Sequence, residues 1–428
     1  MKVLMFGWEF PPHISGGLGT ACYGLTKGLS SLGVNILFVV PKVYGDEDQN
    51  TARIIGAGDV VINQKTFNFE DIWKEITFLE VGSVLVPYLS PEEFDKLSST
   101  KVGNTQLTGE SDEFGKIHFT GLYGNSLFRE VSNYAVIAAY IASQYEFDVI
   151  HAHDWLTYAA GIAAKRVSGK PLVIHVHATE FDRSGDNVNQ NVYDIERAGM
   201  HAADKIIAVS NYTRNIIIER YGIDPAKVVV IYNAVEHSDD SDYIDRRKSV
   251  PEKIVTFLGR VTFQKGPEYF VEAAYKVSKR LDNVRFVMAG SGDMLNRMIR
   301  RVAELRMSSI FHFPGFLRGD EVDRMFSMSD VYVMPSVSEP FGISPLEAMR
   351  SSVPVIISKQ SGVSEILHHA IKVDFWDIDS IADSIHALIT YDGISKMFRK
   401  YGKNEVDKLK WENAAAQVRD VYFSVVNK

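Results

Sequence analysis

The amino-acid sequence predicts an α/β protein made of two doubly wound, Rossmann-like domains that face each other across a cleft. Three observations carry that prediction. The chain has 428 residues, too many for one ordinary core, and units of roughly 200 residues are the natural division. Short apolar runs alternate with helical patterns in both halves at intervals of about 20–30 residues, as βα units do. Between the halves, Glu236-His-Ser-Asp-Asp-Ser-Asp-Tyr-Ile-Asp-Arg-Arg-Lys248 has no apolar period and reads as a linker.

Composition narrows the class. At 46% hydrophobic and 23% charged residues with a net charge of -8, the chain is a globular protein for which nucleic acid is not the main partner expected. Cys22 is the single cysteine, which excludes an intrachain disulfide and favours a reducing compartment. No apolar run reaches the roughly 18 residues of a spanning helix. Val3-Leu4-Met5-Phe6, soon followed by Glu9, is too short for a signal-peptide core. A cytoplasmic location is expected.

Lys2 to Phe10 begins as a continuous apolar run, the mark of a buried parallel strand. Gly16-Gly17-Leu-Gly19 follows, and Ala21, Leu25, Leu29 and Leu32 then recur at helical spacing, with Gly33 placed to end the helix. Val34–Val40 is the next strand, completing a βαβ unit with a right-handed crossover. Residues 41–120 read as an elaboration of this domain, with β-rich pieces at Ile76–Val81 and Ser83–Val86. From residue 125 the alternation resumes. A helix carrying Val131, Tyr134, Ala138 and Ile141 precedes the strand Asp148–Ala152, and a helix from Trp155 precedes Pro171–His175. Lys205–Val209, a helix opened by Ser210-Asn211, and Val228–Tyr232 complete a first domain of residues 1–236.

The second domain, residues 252–407, repeats the architecture with strands at Ile254–Leu258, Val284–Ala289, Ile310–Phe313, Val331–Met334 and Val353–Ile357. Helical segments close the chain at Ile378–Ile389, Ile394–Tyr401 and around Trp411 and Val418–Val426.

Residues suited to chemistry fall at the strands' carboxyl ends, where open α/β sheets bind ligands. Gly16, Gly17 and Gly19 offer backbone N–H groups to an anion at a helix start. A dinucleotide fingerprint fails there, because its third glycine position is Cys22. Arg260 and Lys265 straddle a loop that ends in Gly266-Pro267, and such a cation pair suits a departing diphosphate. Gly290-Ser-Gly292-Asp adds a second glycine-rich turn at the same edge. Glu339 sits between a buried strand and Pro340 with no structural task in view, and hydrogen bonding to sugar hydroxyls would explain it. Ser344-Pro345-Leu346-Glu347 reads as a capping box, a role that would account for Glu347 without any ligand. His151-Ala-His153-Asp154-Trp155 and His175-Val-His177 raise a metal site, although residues i and i+2 of a strand share a face and both pairs would equally line a polar edge.

Pro335-Ser-Val-Ser-Glu339-Pro-Phe-Gly-Ile-Ser-Pro-Leu-Glu347-Ala-Met resembles the signature of retaining glycosyltransferases of the glycosyltransferase-B (GT-B) fold, family 4. Gly259-Arg260-Val-Thr-Phe-Gln-Lys265-Gly266, His151-Ala-His-Asp154-Trp155 and Gly16-Gly17-Leu resemble bacterial and archaeal glycogen synthases in particular. The resemblance implies transfer of a hexosyl group, glucosyl above all, from a nucleoside-diphosphate sugar to a carbohydrate acceptor of the glycogen or starch α-glucan type, with retention and without metal or other cofactor. By motif position, Arg260 and Lys265 would hold the diphosphate, Glu339 the donor-sugar hydroxyls and Glu347 the ribose. His177 would stand beside the reacting sugar and Asp154 would face the sugar from the first domain. Phe341, Gly342 and Ile343 would offer N–H groups near the phosphates, with Gly16, Gly17 and Gly290 also on the donor. The C-terminal helix, about residues 408–428, would cross back onto the first domain. Ile14 stands where glycogen synthases carry a lysine, and Ser352 and Ser361 replace family glycines.

Other classes make different predictions. A nucleotide-sugar binding module would bind without transfer, an epimerase on the same fold would release an altered nucleotide sugar, and a His-ligated metallohydrolase would be stopped by chelators.

Overall fold

The computed structural model describes residues 1–13, 16–61, 117, 119–121, 127–236 and 250–427. It contains two parallel sheets, one of seven strands and one of six. The proposed strands at 76–81 and 83–86, Ile14, and the linker beyond Glu236 lie outside the described residues.

In the first sheet, β1 (Lys2–Phe6), α1 (Gly17–Ser31), β2 (Asn35–Val40) and β3 (Arg53–Gly56) form one wing. The other wing is built from α2 (Leu127–Gln144), β4 (Val149–His153), α3 (Trp155–Ser168), β5 (Leu172–Val176), α4 (Glu180–Ser184) and α5 (Gln190–Ala202). It ends with β6 (Lys205–Ala208), α6 (Asn211–Tyr221) and β7 (Val228–Val230). Strand order is β3-β2-β1-β4-β5-β6-β7, so the order of winding reverses between β1 and β4, which pair in parallel. β4 and β5 are buried at every position, as expected of strands covered by helices on both faces.

The second sheet holds β8 (Lys253–Leu258), β9 (Val284–Ala289), β10 (Phe311–Gly315), β11 (Val331–Met334), β12 (Val355–Ser358) and β13 (Ile371–Val373), in the order β10-β9-β8-β11-β12-β13. Its helices are α7 (Pro267–Ser278), α8 (Leu295–Glu304), α9 (Asp320–Met328), α10 (Ser344–Arg350), α11 (Ile378–Thr390) and α12 (Asp392–Val406).

The sequence reading places no strand at β3 or β13 and no helix at α4 or α5. The two strands are edge pieces of four and three residues, too short to show a period. The final helix, α13 (Trp411–Val426), packs on α1 in the first domain's core. Gly24 and Gly28 permit this approach. A Cβ on Gly24 would lie 2.3 Å from the Trp411 ring, and one on Gly28 would lie 2.8 Å from the Trp411 carbonyl oxygen. Among the described residues, no helix is long and apolar enough to cross a membrane.

Candidate active site

One wall of the cleft is made by loops of the second sheet. β8 runs into a short 3-10 turn, Phe263–Lys265, that ends at Gly266. Gly266 has φ of 63° and a Cβ there would stand 2.2 Å from the Pro335 carbonyl oxygen, so only glycine lets the two loops meet. The meeting seats Lys265 Nζ 2.5 Å from Glu339 Oε2, which also accepts from Ser336 Oγ at 3.1 Å. Gln264 braces the pair. Its side-chain oxygen accepts from Arg260 Nη2 at 2.9 Å, and its carbonyl accepts the Val337 N–H at 2.9 Å. Glu339 therefore has a structural task that its sequence context hides: it is the buried counter-ion of a half-buried lysine.

The capping box expected at Ser344 is not formed. Ser344 Oγ pairs with Tyr332 OH at 2.8 Å instead, and α10 has no side-chain cap. A buried tyrosine hydroxyl needs a partner, and here it takes the serine. Capping thus leaves Glu347 unexplained. Its carboxyl is half-buried and pushed above the usual range by burial, against the opposing pull of Arg350. Phe341 fills the core beneath the loop, while Gly342 turns with φ of 103° and Ile343 is half-buried. Gly290 is glycine for a protein reason. Its N–H donates to the Gly315 carbonyl at 2.8 Å, and a Cβ would sit 1.8 Å from the Gly259 carbonyl oxygen.

The facing wall comes from the first sheet. Asp154, at φ of 60°, ends β4 and is almost wholly buried. Its Oδ1 accepts the backbone N–H groups of His177 at 2.6 Å and Ala178 at 3.3 Å. Burial pushes the Asp154 carboxyl up to about 6, opposed by Arg183, whose Nη2 lies 3.9 Å away. Asp154 thus holds the loop that presents His177 and turns its carboxylate inward, whereas the motif resemblance had it facing sugar. Arg183 also pairs with Glu196 at 2.9 Å, and burial raises the Glu196 carboxyl to about 7 despite that cation.

The four histidines are neighbours, because β4 and β5 pair with His153 opposite His175. His151, His153 and His175 are buried and His177 is half-buried; His151 Nδ1 is 2.6 Å from Tyr422 OH in α13, and His153 Nδ1 is 3.0 Å from His177 Nε2. Burial pushes His151 and His177 down to about 3 and holds His153 and His175 well below the usual imidazole range. All four are neutral near pH 7. Two groups, Cys22–His153–His177 and His151–His153–His175, bring potential ligand atoms within 4.8 Å of one another. Their rings, however, stack within 6° to 32° of parallel. The Cys22 thiol is moreover pushed up by burial, away from thiolate.

The walls touch. Ser338 Oγ donates to Asp182 Oδ1 at 2.6 Å, and the other oxygen of Asp182 closes a capping box with Thr179, accepting its N–H at 2.7 Å. Ser210 Oγ donates to the Pro340 carbonyl at 2.6 Å. Glu365 accepts the first N–H groups of α6, from Asn211 at 3.0 Å and Tyr212 at 2.7 Å, where a carboxylate is favoured by the helix dipole. The sequence reading misses Asp182, Arg183, Glu196 and Glu365. Only Thr179-x-x-Asp182 left a local trace, as a cap signal with aspartate at the third position. On the same side, α1 begins at Gly17, where, among the described residues beyond its chain neighbours and its own helix backbone, a Cβ would meet no atom within 4 Å. Packing does not demand glycine there.

Comparison with known proteins finds glycosyltransferases. A family model described as "Glycosyl transferases group 1" matches residues 241–405, and one described as "Glycosyltransferase Family 4" matches residues 110–239. An uncharacterised glycosyltransferase of Methanocaldococcus jannaschii is 27% identical over 99% of this chain and 98% of its own. Glycogen synthase of Mycobacterium tuberculosis is 22% identical over 99% and 95%. Among solved structures, sucrose-phosphate synthase from Thermosynechococcus elongatus aligns with TM-score 0.71 at 17% identity over 99% and 98% of the chains. Anabaena HepE in complex with UDP and glucose aligns with TM-score 0.67 at 14% identity over 99% and 100%. At such identities these structures speak for the fold.

Proposed function

Because the chain belongs to the family 4 glycosyltransferases of GT-B fold, we propose that it moves a hexosyl group, glucosyl in the first instance, from a nucleoside-diphosphate sugar to a hydroxyl of a carbohydrate acceptor in the cytoplasm, with retention at the anomeric carbon. The anomeric bond to the diphosphate breaks as the bond to the acceptor oxygen forms, and the acceptor's proton leaves with the departing diphosphate. Arg260 and Lys265 neutralise the charge that grows there. Glu339 holds sugar hydroxyls, Glu347 the ribose, and neutral His177 stands beside the reacting carbon, oriented through Asp154. Gly16, Gly17, Phe341, Gly342 and Ile343 offer backbone to the donor. With two cations at the diphosphate, transfer proceeds without metal.

What supports this reading most is the 2.6 Å bond between Ser338 and Asp182, which joins the loop of Glu339 to the segment just after His177. Glycogen synthase relatives make an α-glucan one acceptor to assay. A melting-temperature screen over UDP, ADP, GDP and their sugars identifies the donor, since a ligand of the native state raises the midpoint by linkage. Release of nucleoside diphosphate then measures turnover, with and without EDTA. Full turnover in Glu339→Ala, Arg260→Ala and Lys265→Ala alike would refute the assignment. Release of an epimerised nucleotide sugar, or binding without turnover, would point to the other classes.

A further inference from the structure

The two sheets are matched in order across the cleft. Beyond β5, α4 meets the second domain through Asp182 and Ser338, and β6 continues into the contacts of Ser210 and α6 with Pro340 and Glu365. In the opposite direction the order runs β1, β2 in one sheet and β9, β10 in the other. There the ends of β1, β2 and β10 enclose a cavity of about 160 Å³, lined by Trp8, Phe10 and Tyr44 from one domain and Arg318 from the other. A volume near 150 Å³ is the size that admits a single six-membered ring.

Its polar lining is mixed. Lys42 and Arg318 approach it from opposite domains, and each rests on an aromatic ring: Lys42 Nζ lies 4.9 Å from the Tyr44 centroid, and the Arg318 guanidinium lies 5.2 Å from that of Phe316. Among the described residues neither cation is in an ion pair. Of the two carboxylates in the lining, Glu47 is already occupied by the N–H groups of Tyr44 and Gly45, at 2.6 and 3.0 Å. Glu9 is buried beside them. An anion suits the two cations, a hydroxylated ring suits Glu9 and the aromatic floor, and a ligand bearing both features uses the whole lining.

We infer that this cavity is the acceptor subsite and that its ligand is a single-ring carbohydrate carrying a phosphate or carboxylate, held at its anion by Lys42 and Arg318. The inference rests on the glycosyl-transfer reading and narrows its acceptor.

The test uses the full chain with the donor identified above and measures acceptor-dependent diphosphate release. Glucose 6-phosphate and fructose 6-phosphate probe phosphate, glucuronate probes carboxylate, and glucose, fructose and maltohexaose are the neutral references. The expected result is a kcat/KM at least tenfold higher for one anionic sugar than for its neutral parent. Lys42→Ala and Arg318→Ala should each raise KM for that sugar and bring the ratio to near unity, while the melting shift with nucleoside diphosphate persists as evidence of folding. Equal or better use of the neutral sugars or maltohexaose overturns the inference. So does a panel in which no member is glycosylated or shifts the melting temperature of the donor-loaded protein. Absence of diphosphate binding and of turnover with every donor would instead defeat the underlying reading.

Discussion

The Lys265–Glu339 pair allows stability and activity to be separated in one experiment. At 2.5 Å the bare attraction between the two charges is about 7 kcal/mol for an effective dielectric constant of about 20. Most of this is offset by taking both groups from water, since their side chains are only 20% and 7% exposed. Lys265→Ala leaves a buried carboxylate with Ser336 as its neighbour, and is expected to cost about 3 kcal/mol. Glu339→Gln retains a hydrogen-bonding oxygen and should cost about 1–2 kcal/mol. In the double variant the buried charge is gone, so its stability should lie above the sum of the singles by a coupling energy of about 2 kcal/mol. Urea unfolding of the four proteins supplies these values. Diphosphate release should behave differently, falling by about 10²–10³ in Lys265→Ala and staying low in the double variant, because the diphosphate still lacks its cation. Activity that returns together with stability would refute the reasoning, as it would make the pair a structural brace only. Singles that each cost under about 0.5 kcal/mol would refute the buried-pair estimate.

Three further outcomes are expected. Asp154→Ala should lower kcat by about 10²-fold through a displaced His177 loop, whereas Asp154→Asn, whose amide oxygen still accepts the His177 N–H, should retain most of it; steady-state kinetics of both variants decides. Gly17→Ala should leave the melting temperature near its original value yet weaken donor binding, while Gly28→Ala, with Ala415 Cβ only 2.9 Å from the new carbon, should lose about 1–3 kcal/mol and leave donor affinity unchanged; paired melting and titration curves check this. His151 has a folded value of about 3 against an ordinary 6.5, so the unfolded chain binds its proton first and stability falls as pH drops through that window. The loss attributable to His151 is about 2 kcal/mol at about pH 5, so the stability deficit of His151→Leu relative to the parent should shrink by that amount between about pH 7.5 and pH 5 in urea titrations.

Regular structure was legible at most elements with a local period, although α5, whose buried Val192, Ile195, Gly199 and Met200 recur at helical spacing, was missed. β9 and β11 have the same ends in sequence and structure, Val284–Ala289 and Val331–Met334, because each is a mainly apolar run closed on its carboxyl side by Gly290 or Pro335. Trp155 opens α3 as its pattern indicates. The edge strands β3 and β13 escaped, since three or four residues that pair on one side carry little pattern. The capping box at Ser344 failed for a related reason. Its spacing was correct, but a distant hydroxyl, Tyr332, competed for the serine.

The cleft's chemistry divides along the same line. Motif spacing named Arg260, Lys265, Glu339, Glu347 and His177, and nothing about their arrangement had to be known to propose a nucleotide-sugar site. Their pairings were beyond its reach. That Lys265 neutralises Glu339, that Asp154 grips the His177 loop, and that His151 meets Tyr422 of α13 all depend on contacts between residues 23 to 271 positions apart. So does the cavity lined by both Lys42 and Arg318. Local sequence encodes period, cap and glycine, because these act within a few residues. Burial, partner and charge state are set by whichever distant group folding brings alongside, and here that is what turns a list of motif residues into two walls of a site.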